Sequence, residues 1–238
     1  MLHKSAKSFV DNIEKNLYLS IQDKTDSITF KLEKVLKAFS DSHLHVQHFA
    51  SLTGYGHGDL GRDIIDKIFA DVLEAEKAAV RLQIVSGTHA ITSSLFGVLR
   101  PGDNLLSVTG RPYESLEEVI GLRGNSQGSL IEFGIHYEEI SLKNDGSIDF
   151  LALEKALHIP RKLIFIQRSC GYTWRPSLSI EVIKEICDLC HKIQPNCICF
   201  VDNCYGEFVE TKEPTSVGAD LIAGSLIKNL GGTIVPTG

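Results

Sequence analysis

No run of about 18 or more apolar residues occurs in this 238-residue chain, so no membrane-spanning helix is expected. The start, MLHKSAKSFVDNIEKN, lacks the apolar core of a secretory signal and reads as helix instead. Excess positive charge is lacking too. A formal net charge of −6 leaves no electrostatic reason to expect nucleic acid or an anionic membrane as partner. Internal repeats, low-complexity tracts and domain-separating linkers are absent. Nor are the cysteines spread as a disulfide scaffold would need. Cys170, Cys187, Cys190, Cys197, Cys199 and Cys204 all fall in the last third, which predicts free thiols in a reducing cytoplasm.

What remains is an ordinary globular composition, 43% hydrophobic and 23% charged, long enough to bury one large core. From about Lys4 to Ser40 apolar residues recur at helical spacing, and two helices are expected, broken near Asp23 to Asp26. A glycine-rich loop, Thr53–Arg62, follows, then an amphipathic helix from Asp63 to Ala75. Beyond it short apolar runs alternate with helical stretches. Strands are expected at Ala79–Val85, Asn104–Val108, Glu138–Ile140, Lys162–Gln167, Ile198–Val201 and Leu221–Ala223. Helices are expected at Thr88–Leu99, Tyr113–Gly121, Asp149–Leu157 and Ile180–Ile193. Such alternation predicts an α/β fold with a mostly parallel sheet covered on both faces.

Three features fall at strand-to-loop junctions, where open α/β sheets place ligands. The first is Ile84-Val-Ser-Gly-Thr-His-Ala-Ile91, a run into a glycine turn and then a helix. Free N–H groups at that helix start, with the Ser86 and Thr88 hydroxyls, can cradle a phosphate, although small-residue turns before helices are commonly structural. In the second, Cys197-Ile-Cys-Phe-Val-Asp202-Asn-Cys-Tyr-Gly206, a strand delivers an acid that either caps its loop or serves a site. The third is Gly224-Ser-Leu-Ile-Lys228-Asn-Leu-Gly-Gly232. Lys228 is either an exposed loop lysine or a desolvated nucleophile of the kind that forms Schiff bases.

The order and spacing of the three match fold-type-I enzymes dependent on pyridoxal phosphate (PLP). Ser86-Gly87-Thr88-His89-Ala90, Tyr113-Glu114, Val201-Asp202-Asn203 and Ser225-Leu226-Ile227-Lys228, with Gly231-Gly232, resemble the cystathionine lyase and methionine γ-lyase group. Within it, Gly54–Asp63 and Gln83–Ala90 resemble the branch of aluminium resistance proteins, or methionine γ-lyase family proteins. The resemblance runs from about Tyr55 to Gly232. It implies that Lys228 carries PLP as a Schiff base and moves protons at the substrate α-carbon. Asp202 would pair with the pyridinium nitrogen, and Tyr113 would stack on the ring and assist acid–base chemistry. Ser86, Gly87, Thr88 and Ser225 would bind the phosphate. Tyr55 and Arg62 would reach the phosphate of a neighbouring subunit, implying a homodimer or homotetramer.

Residues 1–50 are then an N-terminal helical arm and 51–238 the PLP-binding large domain. Family members continue past the lysine into a smaller C-terminal domain, so that domain, with its carboxylate-gripping arginine, is expected to be missing. Ile227 also departs from the group, which places a hydroxyl residue just before the lysine. The implied reaction is β- or γ-elimination on a sulfur-containing amino acid. Alternatives are an aminotransferase, another PLP reaction, or a truncated PLP-binding protein without turnover.

Rival constellations exist. Cys187-x-x-Cys190, His191 and Cys197-x-Cys199 invite a zinc reading. Their helical register and strand alternation suit core packing, and no metal is expected. His43, His45 and His48 read as a solvated segment. Arg168 and Arg175 flank a strand-end loop and could meet an anion or acidic neighbours. Cys204 has no paired base and gets no nucleophilic role.

Overall fold

A computed structural model describes residues 4–50 and 58–229. Helix α1 runs unbroken over Lys4–Asp41. The break expected near Asp23 to Asp26 is therefore corrected: no glycine or proline occurs in this span, and polar residues alone remove no intrahelical hydrogen bond. Helix α2, Leu60–Val72, starts earlier than its apolar pattern suggested, because the Asp59 side chain caps it by accepting from the Arg62 N–H at 3.0 Å. Ala38, Ile68 and Val72 pack α1 on α2 in a small cluster of their own.

Helix α3 spans Gly87–Val98, strand β1 Asn104–Ser107, α4 Glu114–Ile120, β2 His136–Glu139 and α5 Phe150–Ala156. Then come β3 Leu163–Gln167, α6 Ile180–Ile193, β4 Ile198–Asp202 and β5 Leu221–Ala223. Short 3₁₀ turns lie at Val46–Phe49 and Pro214–Val217. The strands form one sheet of order β2-β1-β3-β4-β5, with every pairing parallel.

The segment Ala79–Val85 is not a strand. Its backbone is satisfied locally instead. The Val80 N–H donates to Asp66 Oδ1 at 2.8 Å, and the Ile84 N–H turns back to the Arg81 carbonyl at 3.0 Å. Arg81 pairs with the same Asp66 carboxylate at 2.6 Å. Apolar composition makes a segment compatible with a sheet, but only a hydrogen-bonded neighbour makes it a strand.

Two cores sandwich the sheet. On one face Ile164, Ile166, Cys199 and Val201 pack against α5 and α6 through Leu153, Ile183 and Ile186. On the other Leu105, Phe165 and Phe200 pack against α3 and α4 through Ile91, Leu95 and Leu116. All five residues of β3 are buried, which explains why that run is apolar without alternation. Each of its four apolar side chains, Leu163, Ile164, Phe165 and Ile166, contributes about 1.5–3 kcal/mol of burial. Chain order puts β1 first, β2 on one flank and β3 on the other, so the connections diverge at the carboxyl ends of β1 and β3. Such a switch opens the crevice where α/β proteins bind ligands.

Candidate active site

Register assembles the site. Gln167, Asp202 and Ala223 are level at the carboxyl ends of β3, β4 and β5. Asp202 therefore emerges beside the turn that carries Ser225 and Lys228. The Asn203 N–H extends the ladder by donating to the Ala223 carbonyl at 2.8 Å.

Asp202 is only 2% exposed, and its Oδ1 accepts from the Cys204 N–H at 3.0 Å. Burial pushes its carboxyl above the ordinary range, while hydrogen bonds from Cys204 and the charge of Lys228 act the other way. No cation lies within ion-pair distance of it among the described residues. The strand end thus holds a buried acid that lacks a close positive partner.

Ser86 caps α3, its hydroxyl accepting from the His89 N–H at 3.1 Å. Gly87 is the first helical residue and lies against the lysine turn. A Cβ at this position would stand 2.9 Å from Ser225 Cβ and 3.0 Å from Cys204 Sγ. This one close approach joins the glycine turn, the Asp202 loop and the Lys228 turn. Gly87→Ala forces them apart, and we expect about 1–3 kcal/mol of lost stability, read as a fall in Tm. Thr88 Oγ1 lies 3.3 Å from the Tyr113 hydroxyl and 3.3 Å from Ser115 Oγ. Burial, reinforced by the charge of Asp202, pushes the Tyr113 phenol far up, so it stays protonated at neutral pH.

Lys228 is half-buried in a turn closed by its N–H donating to the Ser225 carbonyl at 3.0 Å. Its Nζ stands 4.4 Å from the centroid of the Tyr205 ring, a cation–π contact. Tyr205 takes a left-handed backbone conformation, φ +67°, to present that ring.

Ser86, Gly87, Thr88, Tyr113, Asp202, Ser225 and Lys228 thus share one end of the sheet. Arg62 does not join them. It sits in the first turn of α2, paired with Asp59 at 3.2 Å. Tyr55, Gly231 and Gly232 lie outside the described residues.

Arg168 is a buried clasp. Its guanidinium donates to Asn203 Oδ1 and the Gly206 carbonyl, each at 2.8 Å, and meets Glu210 at 2.7 Å. It shapes the Asp202 loop from behind. Arg175 caps its own loop through the Gln167 carbonyl at 2.8 Å. Cys204 is buried, and burial with the neighbouring Asp202 charge pushes its thiol up, opposite to what a nucleophile needs.

Sequence reasoning passed over Glu207, which holds the lysine turn from both ends. Its Oε1 accepts the Ser225 N–H at 3.1 Å, and its carbonyl accepts Asn229 Nδ2 at 3.1 Å. Gly224 leaves room for this carboxyl, since a Cβ there would stand 2.3 Å from Oε1. Glu207 Oε2 is buried without a hydrogen-bond partner among the described residues, and burial pushes the acid up to about 7. Only its place between Gly206 and Phe208, just past a strand end, signalled it, and many solvated glutamates share that setting.

This shift has a sign. An acid that binds its proton more tightly when folded adds stability at low pH, and that stability is lost as pH rises from about 4.5 through 7. The expected loss from Glu207 is about 3 kcal/mol. Thermal unfolding from pH 4 to 8 should give a flatter Tm profile for Glu207→Gln, whose amide oxygen can still accept from Ser225. A profile as steep as that of the parent chain would remove this assignment.

A parallel sheet gathering a capped glycine turn, a buried strand-end acid and a post-strand lysine at its carboxyl edge has the fold-type-I architecture of PLP-dependent enzymes. The Escherichia coli protein YhfS, described as pyridoxal-5'-phosphate dependent, shares this fold with a TM-score of 0.63 at 16% identity, over 85% of this chain and 50% of that one. More specifically, the chain belongs to the methionine gamma-lyase family, whose model matches residues 6–238.

Three similar proteins illustrate its place there. The uncharacterized protein YnbB of Bacillus subtilis (strain 168) is 52% identical over 206 residues, 86% of this chain and 49% of YnbB. A Listeria innocua structure, provisionally described as a cystathionine beta-lyase involved in aluminum resistance, gives a TM-score of 0.92 at 50% identity. It is matched over 98% of this chain and 56% of its own. A Clostridium novyi NT structure, described as a carbon-sulfur lyase involved in aluminum resistance, gives 0.88 at 47% identity, over 100% of this chain and 60% of its own. The chain therefore spans about half the length of these relatives.

Proposed function

We propose that this site binds PLP and serves a carbon–sulfur lyase reaction, a β- or γ-elimination on a sulfur-containing amino acid. The observation that carries the proposal is the convergence of Gly87, Asp202 and the Ser225–Lys228 turn, three segments distant in sequence, at one edge of the sheet. The residues suit the cofactor's parts. The helix start at Gly87 and Thr88, with the Ser225 hydroxyl, offers donors for a phosphate. Asp202, buried and without a close cation, matches a ring N–H that would supply the missing charge. Bound there, PLP supplies an electron sink for the pair left when the substrate α-proton departs.

This chain's residues do the rest. Lys228 would hold the cofactor through Nζ, and the same amine, when not so engaged, would take the substrate α-proton. Tyr205 keeps that ammonium close to the site rather than in bulk solvent. Tyr113, held protonated, would serve the cofactor as a hydrogen-bond donor rather than as a base. The description of the Clostridium novyi relative as a carbon-sulfur lyase favours elimination over transamination.

We further propose that two copies of this chain associate. Phe9, Ile13, Leu17, Leu32 and Leu36 are exposed along α1, an apolar set suited to a second copy. Arg62, paired with Asp59 within this chain, would act across such an interface. A reducing cytoplasm suits the six free thiols. Among the described residues no helix is long and apolar enough to cross a membrane.

The direct test loads the protein with PLP, reduces it with borohydride and maps the modified peptide. Attachment at Lys228 is expected, and attachment at another lysine would refute the site. Incubation with cystathionine, methionine or cysteine should then release ammonia and a 2-oxo acid without an amino acceptor. Strict dependence on an added 2-oxo acid would establish an aminotransferase instead.

A further inference from the structure

At the other end of the sheet lies a second group of reactive side chains, unconnected with the cofactor. His191 occupies the last turn of α6, Cys199 is the second residue of β4, and Asp220 immediately precedes β5. Tertiary packing brings His191 Nε2 to 3.0 Å from Asp220 Oδ2 and to 3.5 Å from Cys199 Sγ. All three donor atoms lie within 4.8 Å of one another. We propose that His191, Cys199 and Asp220 form a binding site for one zinc-class divalent cation.

The distances carry the assignment. Zinc bonds of about 2.3 Å to sulfur and about 2.0–2.1 Å to nitrogen and oxygen, at tetrahedral angles, place sulfur roughly 3.5 Å from nitrogen and nitrogen roughly 3.3 Å from oxygen. The two sides that meet at His191 Nε2 are thus close to their ligated lengths, and the third, within 4.8 Å, closes by side-chain motion. Donor chemistry narrows the choice. One thiol, one imidazole and one carboxylate suit zinc or cobalt, whereas magnesium and calcium select oxygen sets.

The outer shell is also in place. The Cys199 backbone N–H donates to Asp220 Oδ2 at 2.7 Å and fixes the carboxylate against the strand start. Cys199 is fully buried, whereas the His191 and Asp220 side chains are 30% and 46% exposed. An ion can therefore enter from solvent and keep a water in its outward position. On binding, the Cys199 thiol gives its proton to solvent, and His191 binds through the Nε2 lone pair with its own proton on Nδ1. One proton is released per ion, so affinity falls as pH falls.

The site is separate from the PLP site. Cys199 precedes Asp202 by three residues, about 10 Å along the strand. Its side chain packs on the α5–α6 face, and its neighbour Phe200 packs on the other. The zinc reading of the sequence grouped Cys187, Cys190, Cys197 and Cys199 with His191 beside them, and no metal was expected from it. The fold joins two of these, His191 and Cys199, to a residue outside that reading. Cys187, Cys190 and Cys197 belong to the buried core, and Asp220, 21 residues beyond Cys199, completes the group.

The test uses the full chain, reduced, chelator-treated and titrated with Co²⁺. Saturation at about one equivalent is expected, with thiolate-to-cobalt charge-transfer absorption in the near ultraviolet and tetrahedral visible bands, both abolished by added Zn²⁺. His191→Ala and Cys199→Ala should weaken Co²⁺ binding by roughly 100-fold or more, and Cys170→Ser should leave it unchanged. Absence of a charge-transfer band in the parent chain would overturn the proposal. So would a band that survives Cys199→Ala, because another thiol would then be the ligand. Should Cys199→Ala fail to fold, His191→Ala and Asp220→Asn, both altering half-exposed side chains, decide the matter by the same spectra.

Discussion

Lys228→Ala is expected to abolish borohydride-stable attachment of PLP and to lower turnover by at least about 10³-fold, the scale set by losing a nucleophile and a proton carrier together. No neighbour can substitute. Tyr205 offers a ring face to Nζ, Tyr113 stays protonated, and Ser225 is committed to the turn that holds the lysine. Folding should survive, because Lys228 is half-buried and its backbone hydrogen bond to Ser225 does not involve the side chain. Circular dichroism and Tm check that point, and intact mass after reduction checks attachment. A mutant that still gains cofactor mass at a single other lysine would move the site elsewhere.

Asp202→Asn is expected to change two measurements in opposite directions. Burial pushes the Asp202 carboxyl up, so ionising it at neutral pH costs folding free energy in the cofactor-free chain. That stability is present below the unfolded pKa and lost as pH rises through the folded one. Asparagine carries no charge, and its Oδ1 can still accept from the Cys204 N–H. Cofactor-free Asp202→Asn should therefore be more stable at pH 7, read as a higher Tm. Loaded with PLP, the same variant should lose about 10²–10⁴-fold in turnover, because an amide cannot balance a positive ring nitrogen. Thermal unfolding without cofactor and product release with it read the two effects separately. Lower stability together with unchanged turnover would contradict both assignments.

The two substitutions probe different ends of one device. Lys228 depends on a turn whose shape comes from Glu207 and from the close approach of Gly87 to Ser225. Asp202 depends on a loop shaped by Arg168. Neither support touches the reacting atoms. Both are positioning elements, and their loss should act on cofactor affinity before chemistry.

Much of this was legible in the residues. Period-3.6 and all-apolar runs located α6 and β5 to the residue and the other sheet strands to within two residues of their ends. Local wording located Ser86-Gly87-Thr88, Asp202 and Lys228, because a tight turn, a strand-end acid and a small-residue lysine loop are short-range features. Ala79–Val85 was misread for the reason that short-range signals fail: β-propensity without a partner strand does not determine pairing. The unbroken α1 shows the converse, since polar residues without glycine or proline do not end a helix.

The sequence by itself determined the α/β class and the parallel sheet, and it singled out the glycine turn, acid and lysine of the proposed site. Tertiary structure alone decided that Glu207 and Tyr205 brace the lysine and that Arg168 clasps a loop. It also decided that Asp220, distant from them in sequence, meets His191 and Cys199. The physical reason is register. Parallel strands joined through helices bring residues together by strand position, and burial then assigns each polar group the partner that packing leaves within its reach.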